Sequence, residues 1–460
     1  MTASFLPVVL AAGQGTRMRS AKPKVLHELA FEPLLGHVLN GARAAGADAA
    51  VLVLAPGMDD VAAFARSKGL DLAVALQSPA RGTGHALCCA AEHLPAAGTV
   101  VVLFGDTPFV EPATITRLVE ARLAHDAAVA VLGMDLGDAG AYGRLVTEGV
   151  ELRAIVEAAD ADPKVRAIGL ANSGVMAFDA TRLGHLLAEL PERTARDGNP
   201  EQYLTDTVAL ARERGWRCIW QPCSAIEGLG INDRVQLAEA EAILQERLRR
   251  QAMLAGVTML DPASVTLAVD ARLGRDVVLE PNVVIGPGVT LEDDVRIRAF
   301  SHLAVDHPKE TAPIVVRRGA VVGPFARIRS GADLGERAHV GNFVELKNAQ
   351  LGDGAKANHL TYLGDCSVGA GSNVGAGTIT CNYDGFAKHR TEIGADVFVG
   401  SNATLVAPLN IGDGAIVAAG SWVGRDLPAG ASHVARGEPA TRPDGAERLR
   451  RHLRRRAGKG

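Results

Sequence analysis

The sequence has few aromatic residues, no excess of charge of one sign and no long apolar run. Aromatic residues make up 4% of the 460 residues, and 48 basic and 52 acidic side chains give a net charge of -4. This balance gives no indication of nucleic-acid binding, and no stretch approaches the length needed to cross a bilayer. Residues 5–12 are apolar, lack a preceding basic region and lead into a Gly-rich turn, so they predict a first strand and not a signal peptide.

Cysteine is also scarce and has no metal-binding pattern. The six cysteines form no C-x-x-C pair and have no nearby His in metal-ligand spacing. Reduced thiols are therefore expected, and with them a cytoplasmic protein.

Glycine is abundant. The 51 glycines, with 47% hydrophobic residues, predict a soluble globular chain with many tight, repeated turns. Its length suggests two or three domains. The last segment, residues 441–460, is different because it holds eight basic and two acidic residues. This composition predicts a solvated tail, with binding to a polyanion as the alternative.

The N-terminal half alternates short apolar runs with amphipathic stretches. Such runs are typical of buried parallel strands, so an α/β domain with a mostly parallel sheet is expected, with ligands at the carboxyl ends of its strands. The predicted strands are Leu6–Leu10, Ala50–Leu54, Leu72–Leu76, Val100–Phe104 and Ala128–Leu132, and the predicted helices include Leu34–Ala45 and Pro112–Ala124.

The C-terminal half carries a six-residue repeat. Aliphatic residues recur in three registers, beginning at Leu273, Val322 and Ile393, and many are followed by Gly. This hexapeptide pattern predicts a parallel β-helix with the aliphatic side chains pointing inward. The predicted domains are residues 1–231, a linker helix at 232–256, a β-helix at 257–440 and the basic tail at 441–460. Two interruptions, residues 302–313 and 380–392, are where a solenoid is expected to carry function.

A Gly-rich turn follows the first strand. Gly13-Gln14-Gly15 opens a loop whose backbone amides face the carboxyl end of that strand, a geometry that binds phosphate. Nearby Arg17 and Lys24 favour a triphosphate.

Several motifs together resemble a known family. They are Leu10–Met18, Pro23-Lys24, Gln77 with Gly82-Thr83-Gly84-His85, and Phe104-Gly105-Asp106-Thr107-Pro108. These runs resemble the sugar-nucleotide pyrophosphorylases. With the hexapeptide repeats, nearly the whole chain is similar to the bacterial bifunctional N-acetylglucosamine-1-phosphate uridylyltransferase / glucosamine-1-phosphate N-acetyltransferase family. The resemblance implies a Rossmann-like nucleotidyltransferase domain, a long linker helix and a left-handed parallel β-helix.

The resemblance also implies a uridylyl-transfer site in the N-terminal half. Asp106 and Asn232 would bind Mg²⁺, because this ion prefers a few hard oxygen ligands completed by phosphates. Arg17 and Lys24 would offset phosphate charge during catalysis. The residues implied to bind the nucleotide sugar are Leu10, Ala11, Ala12, Gly13, Lys24, Gln77, Gly82, Thr83, Gly143, Glu157, Asn172 and Asn232.

A second implied site transfers an acetyl group from acetyl-CoA. His359 is suited to accept a proton from an amine, and Glu345 is a candidate to orient it. The residues implied to bind the sugar phosphate are Arg329, Lys347, Tyr362 and Asn373. Those implied to line the acetyl-CoA path are Ala376, Asn382, Tyr383, Ser401, Ala419 and Arg436.

The resulting hypothesis is a two-site enzyme that makes UDP-N-acetylglucosamine from glucosamine 1-phosphate, acetyl-CoA and UTP. The family forms trimers with shared acetyl sites, so a homotrimer is expected, and no specific nucleic-acid partner or membrane span is predicted. Two alternatives remain at this point. One is a pyrophosphorylase with a single activity and a regulatory β-helix, and the other is a non-catalytic scaffold with the same pair of domains.

Overall fold

The structure is a computed structural model that describes residues 4–194, 200–305, 311–435, 437, 446–448 and 451. Arg436 and almost all of the basic tail at 441–460 lie outside these residues. The chain forms two compact units, Met1–Leu244 and Gln245–Gly460.

The first unit is built on a nine-stranded sheet among its described residues. In spatial order its strands are Asp71–Leu76, Ala49–Leu54, Phe5–Leu10, Thr99–Phe104, Leu170–Asp179, Val129–Asp135, Cys218–Cys223, Glu151–Val156 and Arg144–Glu148. The first four strands are mutually parallel, as predicted. They bring the carboxyl ends of four apolar runs to one edge of the sheet.

Beyond these four strands the sheet contains both parallel and antiparallel pairs. The prediction of a mostly parallel sheet did not identify the antiparallel strands. Leu170–Asp179 runs antiparallel to both of its neighbours, Thr99–Phe104 and Val129–Asp135. Its register shifts between Asn172 and Met176, so the strand is irregular at Asn172-Ser173-Gly174.

Helices and two apolar clusters cover this sheet. The central strands Phe5–Leu10, Ala49–Leu54 and Thr99–Phe104 are buried almost throughout; Val8, Val9 and Val100 to Val102 are wholly inaccessible. Because side chains alternate across a strand, Val9 and Leu52 join one cluster while Val8 and Val53 join the other. The helices of this unit are Leu34–Ala44, Asp59–Arg66, Gly82–Cys89, Pro112–Ala124, Pro163–Arg166, Ala180–Ala188 and Asp206–Glu213.

A long helix, Arg234–Leu254, spans the boundary between the two units. It begins after Asp233, whose carboxylate accepts hydrogen bonds from the amides of Val235 and Gln236 at 2.9 Å, and so satisfies two backbone donors that a helix start leaves unpaired. In the second unit the side-chain nitrogen of Gln245 donates to the Leu267 carbonyl at 2.7 Å, and its side-chain oxygen accepts from the Leu267 backbone N–H at 2.9 Å.

The second unit is a left-handed parallel β-helix in which each coil contributes short strands to three faces. The first face contains Thr258–Met259, Val278–Leu279, Arg296–Ile297, Val321–Val322, His339–Asn342, Lys356–His359, Asn373–Val374, Phe398–Val399, Ile416–Val417 and Ser432–His433. The second contains Thr266–Leu267, Val284–Ile285, His302–Leu303, Arg327–Ile328, Ile379–Cys381, Thr404–Val406 and Trp422–Val423. The third contains Arg272–Leu273, Val289–Leu291, Ile314–Val316, Asp333–Leu334, Thr391–Ile393 and Leu409–Ile411, while Glu345–Leu351 and Tyr362–Val368 bridge the second and third faces.

The six-residue repeat sets the core of this β-helix, as predicted. Leu279, Ile285, Leu291 and Ile297 are each at most 1% exposed and belong to one continuous apolar cluster. Truncating one such side chain to Ala is expected to cost about 2–5 kcal/mol in the free energy of unfolding.

Candidate active sites

The first candidate site is a pocket of about 240 Å³ at the carboxyl edge of the parallel strands. Backbone hydrogen bonds hold this edge together: the Ala11 amide donates to the Val53 carbonyl at 2.9 Å, and the Gly105 amide donates to the Leu10 carbonyl at 3.0 Å. The pocket is lined by Leu10, Ala11, Ala12, Gly13, Lys24, Val25, Gln77, Ala80, Gly82, Thr83, Ala86, Phe104 and Asp106. The strand ends therefore bring together most residues of the predicted nucleotide site.

Four charged or polar side chains converge beside this pocket. Lys24 forms an ion pair with the Asp106 carboxylate and donates to the Asn232 amide oxygen at 3.3 Å. Arg17 donates to the same oxygen at 2.9 Å. The amide N–H₂ group of Asn232 donates to the Gly230 carbonyl at 3.4 Å, so the oxygen faces the cations. Residues that lie far apart in the sequence thus form one cluster.

Gly15 positions Lys24 within this cluster. Its backbone is left-handed, with a φ of 60°, and an added Cβ would lie 2.5 Å from the Lys24 Cβ. Both facts require glycine, because other residues avoid this conformation and would displace the lysine.

The Gln77 side chain is buried and its orientation is fixed. Its amide N–H₂ group donates to the Gly82 carbonyl at 2.9 Å and lies 3.2 Å from Nδ1 of His85. A carbonyl oxygen only accepts hydrogen bonds, so the Gln77 nitrogen must face Gly82, and its oxygen is the atom left to accept from a base.

The predicted sugar-binding residues form a neighbouring group. The backbone N–H of Asn172 donates to the Gly143 carbonyl at 2.8 Å, and the Glu157 carboxylate accepts from the Thr205 hydroxyl at 3.1 Å. Sequence reasoning missed Thr205, because the residues around it form no recognised motif and only the fold brings it to Glu157. Gly143, Glu157 and Asn172 are not among the residues that line the pocket. They are linked to it through Gly174, which packs against the pocket residue Phe104.

The second candidate site follows one corner of the β-helix, where the first face turns toward the second. Strand pairing places Asn342 beside His359, and continuing the same register aligns Ala376, Ser401 and Ala419 with them. Three of the predicted acetyl-CoA residues thus lie in line with the predicted base, one on each following coil.

His359 is oriented by a different residue from the one expected. Its Nδ1 lies 2.6 Å from the Asn342 amide oxygen. Glu345, the expected partner, instead accepts a hydrogen bond from Arg329 at 3.1 Å and lies 4.0 Å from Arg327. The prediction that Glu345 orients His359 is therefore wrong for the contacts within one subunit, because Glu345 lies beyond the corner, paired in register with Tyr362. From the sequence, Asn342 was assigned no role.

The remaining predicted residues lie around this corner. Lys347 pairs in register with Gly364, against which the Tyr362 hydroxyl packs. Asn373 lies on the first face, between Lys356 and Phe398.

The insertion at 380–392 forms an ordered turn. The Asp384 carboxylate accepts from the amides of Phe386 and Ala387, at 2.8 and 2.7 Å, and pairs with His389 at 2.7 Å. These contacts lower the pKa of Asp384, with the Ala387 amide the largest cause. The turn leaves Tyr383 exposed, while Asn382 is buried and donates to Asp365.

Among the residues that the structure describes, no group of three or more His, Cys, Asp or Glu side chains could hold a metal ion. No described helix is long and apolar enough to span a membrane.

The fold and the two sites define a class: a nucleotidyltransferase unit followed by a hexapeptide-repeat transferase unit. A family described as a MobA-like NTP transferase domain matches residues 7–175. A bacterial transferase hexapeptide family matches residues 270–304, and a hexapeptide repeat of succinyl-transferase matches residues 390–425.

Full-length relatives narrow this class to one family. The chain is 50% identical to the "Bifunctional protein GlmU" of Azorhizobium caulinodans over 97% of both chains. It is 48% identical to the protein of the same name from Paracoccus denitrificans over 98% of both chains. A third relative of that name, from Stutzerimonas stutzeri, is 47% identical over 94% of this chain and 96% of its own. The chain belongs to the bifunctional GlmU family and is a bifunctional enzyme with nucleotidyltransferase and acyltransferase activities.

Proposed function

We propose that the β-helix acetylates glucosamine 1-phosphate with acetyl-CoA, and that the N-terminal unit converts the product with UTP to UDP-N-acetylglucosamine and pyrophosphate. The observation that carries the uridylyl assignment is the convergence of Arg17, Lys24, Asp106 and Asn232 beside the pocket. For acetyl transfer it is the placement of His359 in line with Ala376 and Ser401.

In uridylyl transfer, an oxygen of the sugar phosphate forms a bond to the α-phosphorus of UTP. The bond from that phosphorus to the bridging oxygen breaks, and pyrophosphate leaves with the electron pair. Arg17 and Lys24 offset the phosphate charge, so the chain contributes positioning and electrostatic stabilisation. The oxygen of Gln77 accepts from the N–H at the edge of uracil, while Glu157 and Asn172 hold the sugar.

Mg²⁺ fits the oxygens of this site. Asp106 and Asn232 both present an oxygen to Lys24, so two hard donors already face a common positive charge. We propose that these two residues hold the ion and that phosphates complete its coordination. When bound, Mg²⁺ supplies neutralisation of phosphate charge.

In acetyl transfer, the amine nitrogen attacks the thioester carbonyl and His359 accepts its proton. The carbon–sulfur bond then breaks and the thiolate of coenzyme A takes up that proton. Arg329 and Lys347 bind the sugar phosphate, with Glu345 holding Arg329 in place. Tyr362 and Asn373 lie beside the sugar, and Asn382, Tyr383, Ser401 and the backbone of Ala376 and Ala419 line the coenzyme path. Arg436, outside the described residues, is retained as a predicted coenzyme ligand.

We propose that the enzyme works as a homotrimer, because an apolar ridge adjoins the acetyl site. The rings of Phe300, Phe325 and Phe343 stack along one corner, with centroids 5.0 and 5.3 Å apart, and Leu360 continues the line. They are 53%, 46%, 56% and 61% exposed. All four have left-handed backbone, which costs about 1–3 kcal/mol each, so a partner subunit that covers them would explain their retention.

The cytoplasm is the proposed location. The six cysteines are free thiols, as expected in a reducing compartment.

Product analysis tests the two-site assignment. The purified chain is incubated with glucosamine 1-phosphate, acetyl-CoA, UTP and Mg²⁺, and the products are identified by mass spectrometry. UDP-N-acetylglucosamine is expected only when both co-substrates are present. Asp106→Ala should stop at N-acetylglucosamine 1-phosphate, whereas His359→Ala should still uridylylate that compound when it is supplied. Loss of both activities in either variant with an intact fold would contradict two independent sites.

A further inference from the structure

The contact between Asn342 and His359 fixes more than the position of the imidazole ring. The two residues pair in register at the ends of neighbouring strands, and Nδ1 of His359 lies 2.6 Å from the amide oxygen of Asn342. An amide oxygen only accepts a hydrogen bond, so Nδ1 carries the proton. In the neutral ring, Nε2 therefore keeps its lone pair, which is the state that a proton acceptor requires.

The strands that pack beside His359 carry two ionisable side chains besides its own. Ionisable neighbours are His339, on the strand that carries Asn342, and Lys356, on the strand of His359 itself. The next strand, Asn373–Val374, carries no ionisable side chain. Across the corner, the carboxylate of Glu345 is paired with Arg329. Burial lowers the pKa of His339, and the positive charges of Arg298 and Lys356 lower it further.

The choice of an amide has a chemical consequence. A carboxylate in the place of Asn342 would orient the ring equally well, but it would also stabilise the imidazolium and leave less free base at neutral pH. An amide gives the orientation without that charge. Since the amine of glucosamine 1-phosphate must lose a proton, a neutral ring is the productive form.

We propose that Asn342 is the positioning residue of acetyl transfer, which fixes the tautomer of His359 and directs its Nε2 at the substrate amine. This inference rests on the proposed role of His359 as proton acceptor. It replaces Glu345 in the orienting role.

The test measures kcat and KM of acetyl transfer against pH for the full chain and its variants. For Asn342→Ala, kcat is expected to fall by about 10-fold to 100-fold with KM nearly unchanged, a part of the roughly 10²- to 10⁴-fold that a positioned base supplies. For Asn342→Asp, the acid limb of the kcat profile should move up by about one pH unit, because a carboxylate favours the protonated ring. A loss of packing alone would not move this limb.

Two controls separate this role from a general effect on the fold. Asn410→Ala removes another contact between coils, in which the Asn410 amide donates to Asp426 at 3.1 Å, and it should leave the kinetics unchanged. Uridylyl transfer, measured on each preparation, should also be unchanged because its residues lie in the other unit.

Wild-type kcat in Asn342→Ala would overturn the proposal. If that variant loses the circular-dichroism signal of its β-helix, Asn342→Asp decides, and an unmoved acid limb overturns the proposal. His359→Ala is measured in parallel. If it retains acetyl transfer, the assignment of the base fails, whereas an inactive His359→Ala beside a fully active Asn342→Ala removes only the positioning role.

Discussion

Removing one ring from the aromatic ridge, defined by Phe300, Phe325, Phe343 and Leu360, is expected to weaken the proposed trimer. Phe325 is the central ring and is 46% exposed. An aromatic side chain presents roughly 200 Å², so about 90 Å² of Phe325 is left for a partner to cover. At about 25 cal/mol per Å², this area contributes about 2 kcal/mol per subunit.

Phe325→Ala should therefore raise the dissociation constant of each subunit contact by roughly 30-fold, since 1.4 kcal/mol corresponds to tenfold. Sedimentation equilibrium over a dilution series measures this constant directly. Phe31→Ala is the matched control, because Phe31 is also an exposed phenylalanine with left-handed backbone, at a φ of 67°, but lies in the other unit.

Equal dissociation constants for Phe325→Ala, Phe31→Ala and the wild type would refute the role of the aromatic ridge in the trimer. A wild-type chain that is monomeric at micromolar concentration would refute the trimer itself. Acetyl transfer should fall with dissociation, whereas uridylyl transfer should not, if only the acetyl site is shared between subunits.

Close packing and burial lead to three further predictions. In Gly364→Ala the new Cβ would overlap the Tyr362 hydroxyl and displace that side chain. Steady-state kinetics should therefore show a KM for glucosamine 1-phosphate that is about tenfold higher, with uridylyl transfer unchanged. An unchanged KM would exclude Tyr362 from the sugar site. Burial raises the pKa of Cys218, Cys223 and Cys366 to about 12, so these thiols should resist iodoacetamide at pH 8 in the folded protein. Rapid labelling of the native protein, read by peptide mass spectrometry, would contradict this resistance. The free energy of unfolding should also fall as the pH rises through about 9, where only the unfolded state ionises these thiols.

Five of the nine strands in the sheet of the first unit could be predicted because each is a short apolar run. Val100–Phe104 was predicted and Thr99–Phe104 is observed, and the helix Pro112–Ala124 has the predicted bounds. Leu170–Asp179 was not predicted as a strand, because Asn172, Ser173 and Gly174 interrupt its apolar pattern. Its backbone hydrogen bonds are made with two strands that are distant in the sequence. A local pattern of side chains therefore does not predict this strand.

The contacts of the acetyl site could not be predicted from spacing. The residues His359 and Glu345 were both identified through the family resemblance, but the partner of each depends on which coil lies beside it. Strand pairing places Asn342 next to His359 and puts Glu345 beyond the corner, near Arg329. A polar pair between coils has no periodic signal, because only the inward aliphatic positions repeat.

The sequence by itself determined the class of each unit, since buried runs and six-residue repeats follow directly from which side chains must leave water. It also identified the motifs of both sites. Tertiary structure alone decided how those motifs meet. Lys24, Asp106 and Asn232 are joined by the sheet edge, and His359 is joined to Asn342 by the register of two coils. Burial is a property of each residue and can be read along the chain, whereas a hydrogen bond between distant residues exists only once the backbone has brought its two atoms within reach.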